Sequence, residues 1–139
     1  MTDARTRFSG SKLILFVGAK LVVLERDPKP WIDWPGRLDF PGGQREGQET
    51  PEACTLREVH EEIALTLSET DLTWPTLSLH KDPPDWFFAA HLPAAQVKDI
   101  RLGDEGRGWR LMTPQDYLAA PLAIPPFAAM LARYLSNQR

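Results

Sequence analysis

Between Gly43 and Leu65 the chain reads GQREGQETPEACTLREVHEEIAL. The run places Glu58, Glu61 and Glu62 on one predicted helix, with Arg57 beside them and Glu49 in the preceding loop. Residues three and four apart on a helix are neighbours, about 5–6 Å between Cβ atoms, so the three carboxylates form one acidic patch. Leu56, Val59 and Ile63 fall on roughly the opposite side and form an apolar stripe for packing. One face packs and the other can hold a cation, which points to metal-dependent chemistry.

A solvated charged face is the plainest alternative. Such faces interleave both signs, because like charges at helical spacing cost about 0.2–0.5 kcal/mol per pair. Here Glu49, Glu52, Glu58, Glu61 and Glu62 accompany a single cation, Arg57. Pairing of Arg57 with Glu61 at i+4 leaves Glu58 and Glu62 without a cation in the helix. Mg²⁺ takes oxygen ligands, usually one or two carboxylates with waters and substrate phosphates. The cluster reads as a magnesium site, with manganese as a substitute.

These residues carry a signature. The segment resembles the Nudix box, G-x5-E-x7-R-E-U-x-E-E-x-G-U with U apolar. Gly43, Glu49, Arg57, Glu58, Val59, Glu61, Glu62 and Leu65 are in register, and Ala64 stands where the pattern has glycine. Either Ala64 adopts the left-handed conformation at a cost of about 1–2 kcal/mol, or the helix runs on through Leu65 and Leu67. WPGRLDFPGG upstream and DEGRGWRLMTPQDYL downstream extend the likeness over roughly residues 34–117.

The resemblance implies an α/β/α sandwich with a mixed β-sheet, and hydrolysis of a diphosphate linkage. It implies metal ligands at Glu58, Glu61 and Glu62, with Arg57 orienting the carboxylates and Glu49 rather than touching substrate. The backbone carbonyl of Gly42 or Gly43 is a further ligand candidate, because glycine permits close approach. In many members an acidic residue on a late loop completes the metal site or acts as general base. Glu105, in the glycine-flanked loop before Trp109, is the candidate, with Asp104 its competitor. Arg45 and Arg37 flank the box as candidate phosphate contacts. Trp31, Trp34, Trp86 and Trp109 are candidate stacking residues for a nucleobase; Trp31 and Trp34, in a proline-rich loop near the box, are the better ones, and Trp109 reads as core. His60, His80 and His91 make no metal-ligand spacing and receive no role.

Substrates of this class are small nucleotides. The reading leans towards a MutT-like (deoxy)nucleoside triphosphate pyrophosphohydrolase, supported only by the compact chain. An ADP-ribose or nucleotide-sugar pyrophosphatase is the nearest rival. A nucleotide-sensing domain without catalysis belongs to another class and would be expected to have lost box carboxylates. An isomerase would need acid/base residues that are not identifiable.

The 139 residues suit one domain, residues 1–139, with ordinary hydrophobic (42%) and charged (25%) content. The net charge of −3 gives no basic footprint for a nucleic-acid polymer. No apolar run reaches the about 18 residues needed to span a bilayer. A single cysteine, Cys54, fits a reducing compartment, so a cytoplasmic monomer or homodimer is expected, with no membrane partner.

The elements that must position the site follow from periodicity and punctuation. Met1–Phe8 reads as a polar, partly disordered leader. Strands are expected at 12–17 and 20–26 around a Gly18-Ala19 hairpin, then at 37–40, 72–80, 86–92 and 107–112. Pro41-Gly42-Gly43 reads as a turn. Thr50 is a good N-cap with Pro51 behind it, opening a helix to about residue 65 or 67. Thr113-Pro114 opens a short helix, and 126–136 a terminal amphipathic one.

Overall fold

The computed structural model describes residues 3–138. Its seven strands are β1 (Gly10–Val17), β2 (Lys20–Glu25), β3 (Leu38–Asp39), β4 (Gly42–Gln44), β5 (Thr73–Ser78), β6 (Asp85–Leu92) and β7 (Gly108–Met112). Three α-helices accompany them: α1 (Pro51–Ile63), α2 (Pro114–Ala119) and α3 (Pro125–Asn137). The sheet runs β3-β2-β1-β6-β5, with β4 also paired to β1 and β7 to β2. β1 and β6 are parallel along their full length, and every other strand pair is antiparallel.

Alternation along the central strands sends successive side chains to opposite faces. Ile14 and Phe16 of β1, with Phe87 and Ala89 of β6, meet Phe127, Met130, Leu131 and Tyr134 of α3. Leu13, Leu15 and Val17, with Phe88 and Ala90, meet Val59 and Ile63 of α1. Each fully buried aliphatic or aromatic side chain contributes about 1.5–3 kcal/mol. The result is a mixed sheet sandwiched between helices.

The β1–β2 hairpin diverges beyond its tight end, where Val17 pairs with Lys20. The segment Leu38–Gln44 fills the split: β3 pairs with β2, and β4 pairs with Gly10–Lys12 of β1. Pro41-Gly42-Gly43 is therefore the entry to a strand and not merely a turn. Glycine has low strand propensity, so backbone pairing with β1 decides the matter. Gly42 sits at φ 133°, a conformation that favours glycine.

Thr50 caps α1, its side chain accepting from the Ala53 N–H at 3.1 Å, and Pro51 begins the helix. The helix stops at Ile63, earlier than expected. Ala64 takes the left-handed conformation (φ 66°) and its N–H bonds the His60 carbonyl. The short 3₁₀ turns at Glu69–Asp71 and Ala94–Asp99 have no counterpart in the expected elements. Strand β5 is shorter than expected and bulged between Thr73 and Thr76; Pro75, within the bulge, has no N–H to give the ladder.

The leader is docked wherever it is described. Arg5 pairs with Glu52 at the start of α1, Arg7 pairs with Asp82, and Phe8 is buried. The Trp86 indole donates to the Ala4 carbonyl at 2.9 Å. Met1 and Thr2, the first residues of that expected leader, lie outside the described residues.

Candidate metal and phosphate site

The guanidinium of Arg57 is the hub of the acidic cluster. Its Nε and Nη2 hold the Glu49 carboxylate at 2.7 and 3.1 Å, a bidentate pair. Nη1 donates to Glu58 Oε2 at 2.9 Å and Glu61 Oε1 at 3.0 Å, and Nη2 to the Gln44 carbonyl at 2.8 Å. Glu58 therefore does have a cation partner. The hydrogen bond to Arg57 holds Glu49 below the usual carboxylate range, and that same contact raises the arginine.

Glu58 lies over β4. A side chain at Gly43 would run into its carboxylate, so the absence of a Cβ there makes room for it. Burial raises the Glu58 pKa, with Arg57 pulling the other way. Carboxylate oxygens of Glu46, Glu58 and Glu61 lie within 4.8 Å of one another. Glu46, four residues before the helix N-cap, was not among the expected ligands; its spacing lies outside any helical pattern.

Glu62 points elsewhere. Its Oε1 accepts from the Gly42 N–H at 2.7 Å, and burial pushes its pKa up to about 8 against the pull of Lys12 and that N–H. The Gly42 carbonyl, expected as a metal ligand, accepts from Lys12 Nζ at 3.0 Å. Lys12 also bonds Asp39 at 3.1 Å. Burial lowers the lysine pKa, but Asp39 and Glu62 outweigh it, and the ammonium stays raised. Arg26 Nη1 reaches the same Asp39 carboxylate at 2.8 Å. Strand alternation alone could not reveal this Lys12–Asp39–Arg26 network, because it depends on the split between β1 and β2.

These groups open on a cavity of about 390 Å³ whose lining includes Lys12, Arg26, Arg45, Glu58, Glu62 and Glu105. Glu105 reaches it because its loop is tied to the end of α1. The Arg101 N–H bonds the Ile63 carbonyl at 3.0 Å and the Gly103 N–H bonds the Glu62 carbonyl at 2.8 Å, satisfying carbonyls that a helix end leaves unpaired. Arg45 also lines the cavity, braced by the carbonyls of Glu49 and Thr6. Trp34 lines it too, while packing partly against the core.

Arg37 and Trp31 are not brought to this cavity. Arg37 Nη1 bonds the Ala123 carbonyl at 3.1 Å, and its guanidinium lies 5.7 Å from the Trp34 ring centre. Trp31 is 78% exposed and borders a neighbouring cavity instead. His80, given no role from sequence, does line the main cavity with Lys81 and Asp85. Its Nδ1 is 2.6 Å from the Ser78 hydroxyl and its Nε2 3.4 Å from Asp85, and burial lowers its pKa despite that carboxylate. Only the β5–β6 turn brings it there, so no local motif could have signalled it.

The family model described as NUDIX domain matches residues 10–134. The chain belongs to the Nudix family. Its Nudix box spans β4, the Glu46–Glu49 loop and α1, the very elements that carry the carboxylates around Arg57. No curated protein sequence matches the chain. Solved structures agree in fold. A MutT protein from Methanosarcina mazei Go1 is 17% identical with a TM-score of 0.71, covering 94% of each chain. An Ap4A hydrolase from C. elegans, in a binary complex, is 18% identical with a TM-score of 0.74, covering 93% of this chain and 97% of its own. The Nudix hydrolase RenU from M. Smegmatis is 23% identical with a TM-score of 0.69, covering 95% and 86%.

Nudix hydrolases generally use divalent metals, and the donor set here fits one. Three carboxylates converge within reach of a single ion, and hard divalent cations take oxygen donors of this kind. No helix among the described residues is long and apolar enough to cross a membrane.

Proposed function

We propose that this Nudix hydrolase cleaves the diphosphate linkage of a nucleoside diphosphate derivative with water in a Mg²⁺-dependent reaction. The observation that carries the reading is the Arg57-centred carboxylate cluster opening on a cavity that also presents Lys12, Arg26, Arg45 and Lys81. Acidic groups for a cation and basic groups for phosphate oxygens share one concavity.

Glu58 and Glu61, with Glu46 beside them, would hold the ion, Glu62 would offer the oxygen not bonded to the Gly42 N–H, and Mn²⁺ could substitute for Mg²⁺. Bound, the ion neutralises phosphate charge and lowers the pKa of a coordinated water. The chain's own residues do the positioning on which phosphoryl transfer depends. Arg57 fixes the Glu58 and Glu61 carboxylates through Nη1, and Arg45 meets phosphate oxygens. Water oxygen forms the new P–O bond, the bridging P–O bond breaks, and the leaving phosphate keeps the electron pair. The Glu105 carboxylate accepts the proton released by the water.

A nucleoside triphosphate is one substrate of this type, and ADP-ribose is another. A nucleotide-sensing role is disfavoured because every box carboxylate is present. A Mg²⁺-supplemented assay with nucleoside triphosphates, oxidised dGTP, ADP-ribose and a dinucleoside polyphosphate tests the reading. The expected result is a nucleoside monophosphate plus a phosphorylated remainder, lost in Glu62→Gln. Tight Mg²⁺-dependent nucleotide binding with no turnover of any of them would favour the sensor.

A further inference from the structure

A second cavity of about 220 Å³ adjoins the first, and Arg26, Glu62 and Glu105 line both. Its remaining walls include the apolar side chains of Leu24, Ile32 and Leu102, with Trp31 at its border. Trp31 and Trp34, three residues apart in one loop, thus serve different chambers.

The loop is closed at its base. The Gly36 N–H bonds the Asp27 carbonyl at 2.9 Å, and Arg26 Nε bonds the Asp33 carbonyl at 2.9 Å. Trp31 is thereby presented beside the chamber, 78% exposed. An indole left in water forgoes the large apolar burial that tryptophan usually provides, so this one is available to a ligand. Glu25 and Asp27 also line the chamber, paired with Arg110 and Lys29, and each carboxylate keeps acceptor sites for ring amino groups. Ligand pockets for whole small molecules usually run to about 300–1,000 Å³; this smaller space suits one ring system.

We propose that the second chamber receives a flat, amino-bearing ring joined to the far end of the phosphate chain, so the preferred substrate carries a base at each end of its phosphate bridge. The proposal rests on the carboxylate cluster being the diphosphate-cleaving centre. The cluster opens on the first chamber through Glu46 and Glu58, and Glu62 and Glu105 line both chambers, so a phosphate bridge held at the first reaches the second past these two carboxylates.

The test compares kcat/KM for a dinucleoside polyphosphate with that for the same phosphate chain carrying a single nucleoside, in the unaltered protein, Trp31→Ala and Trp31→Phe. The two-ended substrate should be preferred. Trp31→Ala should reduce that preference about tenfold, chiefly through KM, as loss of one stacked base would; Trp31→Phe should restore most of it. Circular dichroism and thermal melting should show both variants folded, since Trp31 is exposed. No preference in the unaltered protein, or one that survives Trp31→Ala, overturns the proposal. So does a stronger preference for a nucleotide sugar that Trp31→Ala leaves intact. Failure of the underlying reading looks different: no Mg²⁺-dependent turnover of either substrate, or turnover that survives Glu62→Gln.

Discussion

The Gly42 N–H donates to Glu62 Oε1 at 2.7 Å, tying the last acid of α1 to the strand that fills the split in the β1–β2 hairpin. Sheet and helix therefore meet at one carboxylate. Because burial raises the Glu62 pKa to about 8, its charge state couples stability, metal binding and pH.

The sign follows from linkage. A carboxyl whose folded pKa exceeds its unfolded value of 4.5 supports folding most below that value, and the support fades as pH rises to about 8. Metal-free protein should lose up to about a few kcal/mol from this group over that window. Glu62→Gln should flatten the slope, as measured by urea denaturation in chelator at pH 5 and pH 8.5, while lowering kcat about 10²–10⁴-fold. An unchanged slope in the variant would show that Glu62 is not the titrating group.

Arg57 separates several carboxylates that would otherwise repel. Arg57→Ala should destabilise the metal-free protein by about 2 kcal/mol, the scale of lost charge-assisted hydrogen bonds. Added Mg²⁺ should recover part of the loss by replacing the missing positive charge. Denaturation midpoints with and without Mg²⁺ measure both, and a variant as stable as the parent would remove Arg57 from its central place.

A side chain at Gly43 would meet the Glu58 carboxylate, and one at Gly42 the Ser11 backbone. Gly43→Ala should therefore reduce turnover more than stability, because a side chain can swing away. Gly42→Ala should instead cost about 1–3 kcal/mol or more in stability, since its φ of 133° is strained for alanine. Paired melting and kinetic measurements separate the two, and equal effects at both positions would contradict the assignment.

Ala64 occupies the left-handed region at the end of α1. Ala64→Gly should raise stability by about 1 kcal/mol by removing that strain, with kcat unchanged. A lower melting temperature in the glycine variant would contradict this reading of the helix end.

Much of this was legible in the sequence for local reasons. The α1 cap depends on Thr50 and Pro51, and the acidic face on helical spacing; both follow from neighbouring residues. The sheet faces follow from alternation in β1 and β6. What sequence spacing could not show arises between distant segments. Lys12 takes up the Gly42 carbonyl because β4 pairs with β1. His80 enters the cavity through the β5–β6 turn, Glu46 joins Glu58 and Glu61 through the loop before α1, and Arg37 turns away to Ala123.

Mg²⁺-dependent hydrolysis at this site is tested by turnover of a nucleoside diphosphate derivative in heavy-oxygen water, with Mg²⁺ and then with excess chelator. The expected result is a single solvent oxygen in one phosphate product, loss of turnover in chelator, recovery on adding Mg²⁺, and turnover at least about 10²-fold lower in Glu62→Gln. Turnover at the parent rate in chelator or in that variant would contradict Mg²⁺-dependent hydrolysis at this site.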